Sequence, residues 1–287
     1  MIKRLLYKYL LQFIPDILWI KVRFRVKLGY WPNLKNPRTC NEKLQWLKLH
    51  NRNPLYTQLV DKYEVRNYIK DKIGSDYLVP LLGKWDKFDD IDFDKLPNQF
   101  VLKCNHDSGG LIICKDKSSL NYKEAKKKLS RSLKFNYYWA LREWPYKNVK
   151  PCIIAEKYLE DTELKELKDY KFYCFNGTVK IFFIASGRQK GDNSKRIDYF
   201  NMNREHLPMT WGCPRSSNPP QMPQSLNKMI QLAEVLSKGI PHIRVDFYEV
   251  DGKIYFGEMT FFDGSGMEEI KPHDWDLKLG SWISLNV

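Results

Sequence analysis

Residues 242–260 read HIRVDFYEVDGKIYFGEMT. Two runs rich in β-branched and aromatic residues flank Asp251-Gly252, a dipeptide typical of the two-residue turn of a β-hairpin. Upstream, residues 170–184 repeat this arrangement around Asn176-Gly177. Because antiparallel hairpins are combined with helical patterns elsewhere in the chain, the sequence predicts an α+β fold.

The hairpin at residues 242–260 also brings polar side chains together. Side chains two apart on a strand share a face, so Arg244 and Asp246 should point the same way, with Glu258 and Thr260 beside them on the partner strand. Two carboxylates and a hydroxyl are hard oxygen ligands suited to Mg²⁺, and an arginine adds a fixed charge for a phosphate. The alternative is an exposed face with ordinary Arg–Asp–Glu cross-strand pairing, and spacing alone leaves both open.

Helical signals concentrate in the first part of the chain. Thr39 and Glu42 form a capping-box pair that predicts a helix over Glu42–Leu49. Asp61 and Glu64 predict the start of a second helix that ends at Gly74. Further along, the patterns predict helices at Tyr122–Leu133 and Leu226–Leu236, strands at Phe100–Leu102, Leu111–Ile113, Cys152–Lys157 and Arg196–Met202, and a loop at Trp85–Pro97.

A strand, a lysine and a small loop follow one another over Val101–Gly110. Lys103 supplies positive charge, and Gly109 and Gly110 permit close approach of the backbone to a phosphate. The segment is neither a Walker A motif nor G-x-G-x-x-G. Taken alone, the segment therefore fits an ordinary hairpin loop better than a phosphate-binding loop.

A second apolar strand runs into a polar connector at Ile153–Leu159, and Asp169 and Lys171 lie beyond it. Such a strand can bind adenine through its backbone, with an acid beyond it for the ribose hydroxyls. A strand followed by a surface loop would look the same. The residues alone do not separate these two possibilities.

The composition is that of a folded, basic protein. Of 287 residues, 43% are apolar and 14% aromatic, which excludes a largely disordered chain. The length suits one large domain or two small ones. Lysine and arginine number 48 against 34 acidic residues, so the formal charge is +14 and predicts an anionic partner: a phosphate-bearing ligand, an acidic glycan, a nucleic acid or a membrane surface.

Six cysteines are spread along the chain, and no two stand in a C-x-x-C arrangement. A zinc ribbon or a dithiol redox motif is therefore not indicated. Several cysteines lie in apolar runs, such as Cys152 before Ile153 and Ile154. We expect buried free thiols, as suits a reducing cytosol.

The N-terminal stretch Leu5–Ile20 is apolar, but polar residues and Pro15 interrupt it. It therefore predicts neither a membrane-spanning helix nor a cleavable signal peptide. One helical face collects apolar side chains among basic neighbours: Leu5, Leu6, Tyr9, Leu10, Phe13 and Ile14. Residues 1–30 are thus expected either to pack on the rest of the protein or to contact an anionic membrane peripherally.

Several separated blocks, in order, resemble the TupA-like ATP-grasp family, which is associated with teichuronopeptide synthesis in bacterial surface-polysaccharide clusters. The blocks are Asn41–Lys48, Asp61–Arg66, Leu102–Gly110, Asp169–Gly177, Arg244–Asp246, Gly257–Phe261 and Gly264–Gly266. The resemblance implies an α+β ATP-grasp fold with a nucleotide held between two subdomains. It further implies a first subdomain with the glycine loop at 61–155 and a second with the metal-binding hairpin at 156–287. The residues before Pro37 match nothing in the family, and the helical signals and basic residues at the start of the chain predict a basic helical N-terminal region at 1–60.

The same resemblance implies roles for individual residues. Contacts with the ATP phosphates are implied for Lys62, Lys103 and Arg244. Of these three residues, Lys103 and Arg244 are also implied to be catalytic. The loop over the triphosphate corresponds to Ser108, Gly109 and Gly110, and the adenine hinge to Glu156, Lys157, Tyr158 and Leu159. Asp169 corresponds to the ribose-binding acid, and Lys171 is also placed near the nucleotide. The magnesium ligands correspond to Asp246, Glu258 and Thr260, although many ATP-grasp enzymes carry asparagine where Thr260 stands.

The implied activity is that of an ATP- and Mg²⁺-dependent ligase, which forms an amide from a carboxylate and an amine through an acyl phosphate. The expected substrates are a uronic acid on an anionic glycan and an amino acid or other amine. No Ser–His–Asp or Cys–His constellation is found, which agrees with a mechanism without a protein nucleophile.

Three other functions stay open at this point. They are an ATP-dependent kinase acting on a hydroxyl of a glycan or small molecule, a glycosyltransferase, and a charge-driven nucleic-acid- or membrane-binding module. The acidic hairpin face would repel a polyanion, so nucleic acid is not the expected partner. We expect a cytoplasmic protein, with peripheral contact at the inner face of the membrane as an open alternative.

Overall fold

The computed structural model describes residues 11–161, 167–187 and 195–285. The chain divides into two compact units. Unit 1 comprises the described residues within Met1–Asn53 and Asp161–Val287, and unit 2 comprises Pro54–Glu160. The predicted N-terminal region, residues 1–60, contributes to both units, since its described residues up to Asn53 belong to unit 1 and the following ones to unit 2.

In the described residues, four α-helices precede the first strand, and helices and strands are mixed after it. The α-helices are α1 (Asp16–Leu28), α2 (Cys40–His50), α3 (Leu55–Val60), α4 (Val65–Lys72), α5 (Tyr122–Leu133), α6 (Tyr137–Leu141), α7 (Leu226–Ser237) and α8 (His273–Trp282). The strands are β1 (Leu81–Trp85), β2 (Phe100–Cys104), β3 (Leu111–Cys114), β4 (Ile153–Lys157), β5 (Asp169–Phe175), β6 (Thr178–Ser186), β7 (Arg196–Asn201), β8 (Thr210–Trp211), β9 (His242–Val250), β10 (Lys253–Thr260) and β11 (Ile270–Lys271).

Unit 2 is built on a four-stranded antiparallel sheet with the strand order β1-β4-β2-β3. Alternate side chains of β2 point into the core: Phe100, Leu102 and Cys104 are buried. They pack with Ala125 and Leu129, which lie four residues apart on α5 and therefore on one helical face. This packing fixes the end of β2, from which the predicted phosphate loop leaves the sheet.

Unit 1 is built on a five-stranded antiparallel sheet with the strand order β10-β9-β5-β6-β7. Its central strand β5 is buried along its whole length. The Cys174 thiol on one face of β5 contacts the backbone of Ala233 on α7. The opposite face carries Asp169, Lys171 and Tyr173, since these alternate with the residues that face α7. A two-stranded sheet of β8 and β11 completes the strand pairing described for this unit.

Both predicted hairpins are confirmed. β9 and β10 pair across Asp251-Gly252, and β5 and β6 pair across Asn176-Gly177. The two turn residues have positive φ in each case, +50° and +74° in the first turn and +51° and +80° in the second. Asparagine, aspartate and glycine tolerate this left-handed conformation best, which explains why these dipeptides predict the turns.

Strand β10 contains a bulge that was not predicted, although Gly257, an isolated glycine inside the strand, is a residue type typical of bulges. Phe256 pairs with Phe247, and Met259 pairs with Val245. Two residues of β10 therefore lie opposite Asp246 alone, which is the count of a β-bulge. In a regular hairpin with this turn, Glu258 would pair with Val245 and point away from Arg244. The extra residue restores the predicted side-by-side placement of the four polar residues.

The predicted helices are found, with small shifts at their ends. The capping box of Thr39 and Glu42 is present at the start of α2, and α5 has the predicted bounds. Helix α4 begins at Val65, because Asp61 accepts hydrogen bonds from the backbone N–H groups of Tyr63 and Glu64 and holds a turn before the helix. Strand β1 and helix α8 were not predicted.

Helix α8 packs closely on the start of α2. Asp276 accepts hydrogen bonds from the backbone and side-chain nitrogens of Asn41, at 3.0 and 3.1 Å. A Cβ atom on Gly280 would lie only 2.2 Å from the Arg38 carbonyl oxygen and 2.7 Å from the Cys40 nitrogen. Because α8 approaches the start of α2 so closely, position 280 has room only for glycine.

The cysteine prediction is confirmed. All six cysteines are free thiols, of which Cys213 is half-buried and the other five are buried. Burial raises the pKa values of Cys104, Cys152 and Cys174 to about 12, so these thiols stay protonated. No helix within residues 11–161, 167–187 and 195–285 combines the length and the apolar character needed to cross a bilayer.

Candidate functional site

The most highly charged cluster in unit 1 lies where β9, β10 and β5 adjoin. Arg244 and Asp246 are buried, with 7% and 1% exposure. The Arg244 guanidinium donates to both carboxylate oxygens of Asp246, at 2.7 and 2.8 Å. It also donates to Glu258 Oε1 and to Thr260 Oγ1, both at 3.1 Å. The four residues predicted from the hairpin are therefore in contact, with Arg244 and Asp246 buried and Glu258 and Thr260 half-buried.

Lysine and acid residues of β5 extend this cluster. Lys171 lies opposite Asp246 in the strand register, and its ammonium group donates to the Asp246 carboxylate. Asp169 lies 3.7 Å from the same ammonium group. The two residues that the family resemblance assigns to nucleotide binding thus lie beside the two assigned to catalysis and metal binding.

Two further residues complete the cluster and were not predicted. Asp263 accepts a hydrogen bond from Arg244 and another from the Tyr173 hydroxyl. Desolvation opposes ionisation of Asp263, but the Arg244 charge and the Tyr173 hydroxyl outweigh it and lower the pKa of Asp263. Tyr173 shares the face of Lys171 on β5, so the two-residue period could have identified it. Asp263 had no comparable signal, since its position depends on a turn beyond β10.

Among the described residues of this cluster, four carboxylates lie around two cationic side chains. Asp169, Asp246, Glu258 and Asp263 surround Arg244 and Lys171. Burial raises the pKa of Asp246, although the Arg244 and Lys171 charges oppose that shift. Ionised carboxylates at this position would repel a phosphate ligand unless a cation accompanied it.

The turn at Asp263–Gly266, which carries Asp263, is held in an uncommon conformation. Its residues Gly264, Ser265 and Gly266 have φ values of +53°, +58° and +57°. Serine is strained in this left-handed region, so the surrounding structure must maintain it.

Helix α2 supplies that support. The buried Gln45 side-chain amide donates to the carbonyl oxygens of Ser265 and Gly266, at 3.0 and 2.7 Å. The buried Lys48 ammonium donates to the carbonyl oxygen and the hydroxyl of Ser265, both at 2.7 Å. Gln45 and Lys48 of α2 thus hold the turn in the conformation that places Asp263 in contact with Arg244.

The predicted metal ligands are two carboxylates and a hydroxyl. Among the described residues, no group of three or more histidine, cysteine, aspartate or glutamate side chains is arranged to hold a metal ion. The hard oxygen donors of Asp246, Glu258 and Thr260 fit Mg²⁺ in chemical type. In this structure their oxygens accept hydrogen bonds from Arg244 instead.

In unit 2, Lys103 lies on β2, and Glu156 lies on the adjacent strand β4. The Lys103 ammonium donates to Glu156 at 2.6 Å, and Arg66 on α4 lies 3.3 Å from the other carboxylate oxygen. Burial lowers the pKa of Arg66, and the Glu156 charge opposes that shift. Glu156 therefore orients two cationic side chains, one of which, Arg66, was not predicted as a site residue.

The predicted phosphate loop is anchored at its first half and exposed at its tip. Asn105, His106 and Asp107 are buried, whereas Ser108 and Gly109 are exposed. The Asn105 amide donates to Asp61 at 2.8 Å, and His106 Nε2 lies 2.8 Å from the Phe135 carbonyl oxygen.

The end of the loop turns back into the sheet. Asp107 accepts a hydrogen bond from the Gly110 backbone at 2.8 Å, and Lys62 donates to the Asp107 carbonyl at 2.8 Å. A Cβ atom on Gly110 would lie 2.6 Å from the Ser132 hydroxyl. The structure therefore brings Lys62 to the predicted loop, with Ser108 and Gly109 at its accessible tip.

The predicted adenine hinge follows β4. Lys157 is exposed, and its backbone N–H donates to the Pro80 carbonyl at 3.0 Å. Tyr158 and Leu159 are half-buried, and the Tyr158 hydroxyl lies 3.4 Å from Glu160. The nucleotide roles of these residues stay predictions.

A cleft of about 770 Å³ lies elsewhere in unit 1, at the amino-terminal ends of α2 and α8. Its lining includes Tyr30, Arg38, Asn41 and His273. None of the residues in the Arg244 cluster lines it. The cluster, rather than this cleft, holds the predicted site residues of unit 1.

Residues 42–284 match the model of a family described as TupA-like ATPgrasp. No curated protein matches the chain in sequence. Solved structures similar to it include D-alanine–D-alanine ligase from Bacillus anthracis complexed with ATP, at 17% identity and a TM-score of 0.41, with 71% of this chain and 55% of that chain covered. Another is the L-amino acid ligase from Bacillus licheniformis, at 16% identity and a TM-score of 0.45, with 79% and 49% covered. The chain thus spans about half the length of these two proteins.

Proposed function

Because the chain belongs to the TupA-like ATP-grasp family, we propose that it is an ATP- and Mg²⁺-dependent ligase that joins a carboxylate to an amine. Membership confirms the family resemblance found in the sequence and, with it, an α+β ATP-grasp fold. The reaction, its substrates and the residue roles are the proposal. The observation that carries it is the Arg244 cluster, in which one buried guanidinium is held by three carboxylates.

The proposed reaction has two steps. A carboxylate oxygen of the acceptor attacks the γ-phosphorus of ATP, and the bond from that phosphorus to the β,γ-bridging oxygen breaks, which gives an acyl phosphate and ADP. The amine nitrogen then attacks the acyl carbon, phosphate leaves, and the nitrogen loses a proton to give the amide. No bond to the protein forms in either step.

The main task of the protein is to neutralise negative charge, since the first step brings two anions together. We assign this task to Arg244 in unit 1 and to Lys62 and Lys103 in unit 2. Asp246 and Asp263 hold Arg244 from opposite ends of its guanidinium, so its position is fixed before the substrate arrives. A preorganised charge needs no reorganisation in the transition state, which is why a fixed arginine suits this chemistry.

Magnesium would be held by Asp246, Glu258 and Thr260. When bound, Mg²⁺ neutralises phosphate charge and orients the phosphates. The hard oxygen donors of these side chains support this assignment, since carboxylate and hydroxyl oxygens are the ligands that Mg²⁺ prefers. Thr260 offers a neutral hydroxyl and is the weakest donor of the three.

The proposed substrates are a uronic acid in a surface polysaccharide and an amino acid or another amine. The family resemblance and the net charge of +14 support an anionic glycan. Part of the positive charge lies on α5, where Lys123, Lys126, Lys127 and Arg131 are exposed.

The test is product analysis with purified protein, ATP and Mg²⁺, using glucuronate or oligogalacturonate with a panel of amino acids. We expect ADP, phosphate and an amide, detected by mass spectrometry. Arg244→Met should abolish amide formation, whereas Arg215→Met, at an exposed arginine outside the proposed site, should leave it unchanged. AMP as the only nucleotide product would refute the acyl-phosphate mechanism, and phosphate recovered on the acceptor would identify a kinase instead.

A further inference from the structure

Helix α1 exposes a stripe of aliphatic side chains. Leu18, Val22 and Val26 recur every four residues and are 53%, 39% and 71% exposed. The opposite side of the helix is buried through Ile20 and Phe24, which pack in unit 1. Residues four apart lie on one face of an α-helix, so the three exposed side chains form a continuous strip, here called the α1 stripe.

Positive charge flanks the α1 stripe on both sides. Lys21 and Arg25 each precede a stripe residue, and Arg23 and Lys27 each follow one. One residue corresponds to about 100° around a helix, so these four side chains form two basic rows along the edges of the stripe. The single acid of α1, Asp16, is paired with Arg52 at 2.8 Å.

Exposed aromatic side chains lie at both ends of the stripe. Phe13 precedes α1 and is 79% exposed, and Trp31 follows it and is 61% exposed. Aromatic rings of this kind are favoured at the boundary between lipid headgroups and acyl chains. An aliphatic strip with aromatic ends and basic edges is the pattern of a helix that lies flat in a membrane surface.

We propose that the α1 stripe docks on the surface of a bilayer that contains anionic lipids. Contact with acyl chains would remove the exposed aliphatic side chains from water, and both basic rows would then face lipid phosphates. A protein partner would need an apolar groove with acidic groups along both of its edges. An anionic bilayer presents lipid phosphates to both basic rows and acyl chains to the stripe, and needs no groove of matching shape. The proposal does not depend on the reaction assigned above.

The test is flotation of the full chain with vesicles of phosphatidylcholine and phosphatidylglycerol, and with vesicles of phosphatidylcholine alone. We expect binding to the anionic vesicles that weakens as salt is added, and little binding to the neutral ones. The double variant Val22→Asp/Val26→Asp should reduce the partition coefficient at least about tenfold, because it places charge in the apolar strip. Arg25→Gln/Lys27→Gln should reduce it about tenfold or more through the loss of two charges.

The matched control is Val235→Asp, since Val235 is a 47% exposed valine on helix α7. We expect it to bind vesicles like the unmodified chain. Thermal melts of all variants show whether each is folded, and the Arg25/Lys27 variant keeps the apolar strip intact. The proposal is overturned if stripe variants bind as well as the control, or if neutral and anionic vesicles bind equally. It is also overturned if sedimentation shows a dimer that the Val22/Val26 variant dissociates while vesicle binding is absent.

Discussion

Replacing His242 with phenylalanine should remove a pH-dependent loss of stability. His242 is buried at the start of β9, where its ring centroid lies 6.0 Å from that of Tyr173 and 4.8 Å from that of Phe175. Burial lowers the pKa of His242 from its ordinary value of 6.5 to about 4. The folded protein therefore holds this imidazole neutral under conditions in which the unfolded chain protonates it.

The sign and size of the effect follow from these two values. As the pH falls from 6.5 towards 4, the unfolded chain takes up a proton that the folded protein does not, so the free energy of unfolding decreases. The stabilising contribution of neutral His242 to the free energy of unfolding is fully present above pH 6.5 and is lost as the pH approaches 4. The shift corresponds to about 3 kcal/mol in total, of which about 2 kcal/mol is lost between about pH 7 and about pH 5.

The assay is urea unfolding, followed by tryptophan fluorescence, at both pH values. Between them the unmodified protein should lose about 2 kcal/mol more unfolding free energy than His242→Phe. Any constant effect of the larger ring cancels, because only the change with pH is compared. His273→Phe, at an exposed histidine on α8, is the control and should behave like the unmodified protein. Equal pH dependence in His242→Phe and the unmodified protein would refute the argument.

Three further results are expected. Gly280→Ala should lower the melting temperature although alanine is the better helix former by about 1 kcal/mol, because its Cβ would lie 2.2 Å from the Arg38 carbonyl; a higher melting temperature would contradict this contact. Lys48→Met should reduce the free energy of unfolding by about 1–3 kcal/mol in urea titrations, since Ser265 loses a buried donor; no change would show that Gln45 alone holds the turn. A thiol reagent should modify at most Cys213 in the folded protein and all six cysteines in denaturant, and rapid native labelling of a second thiol would disagree with the burial found.

Local signals in the sequence predicted much of the fold. The turns at Asp251-Gly252 and Asn176-Gly177 depend on φ values that few residues tolerate, so the residue types identify the conformation directly. Helix α5 has the predicted bounds because Asn121 caps it and its apolar residues keep a helical spacing. Helix α8 was not predicted, because Pro272 before it provides no capping side chain and the helix depends on packing against α2 for its stability.

The candidate site was predicted less completely, for a physical reason. Arg244, Asp246, Glu258 and Thr260 were expected together, but in a regular hairpin Glu258 would have faced the other way. Their contact depends on the bulge in β10, and an isolated glycine such as Gly257 indicates that a bulge can form without fixing which residues it includes. Asp263 reaches Arg244 only because distant side chains of α2 hold its turn, and such long-range support cannot be deduced from spacing.

The bulge makes the site sensitive to the number of residues in β10 as well as to their identity. Inserting one residue after Gly257 would keep every charged group in the chain, yet beyond the same bulge it would shift the following residues by one position along β9. Glu258 and Thr260 would then point to the apolar face, and Met259 would lie against Arg244. Deleting Gly257 would instead remove the bulge and leave Met259 opposite Val245 and Thr260 opposite Arg244, so the site should tolerate the loss of this residue better than the gain of one.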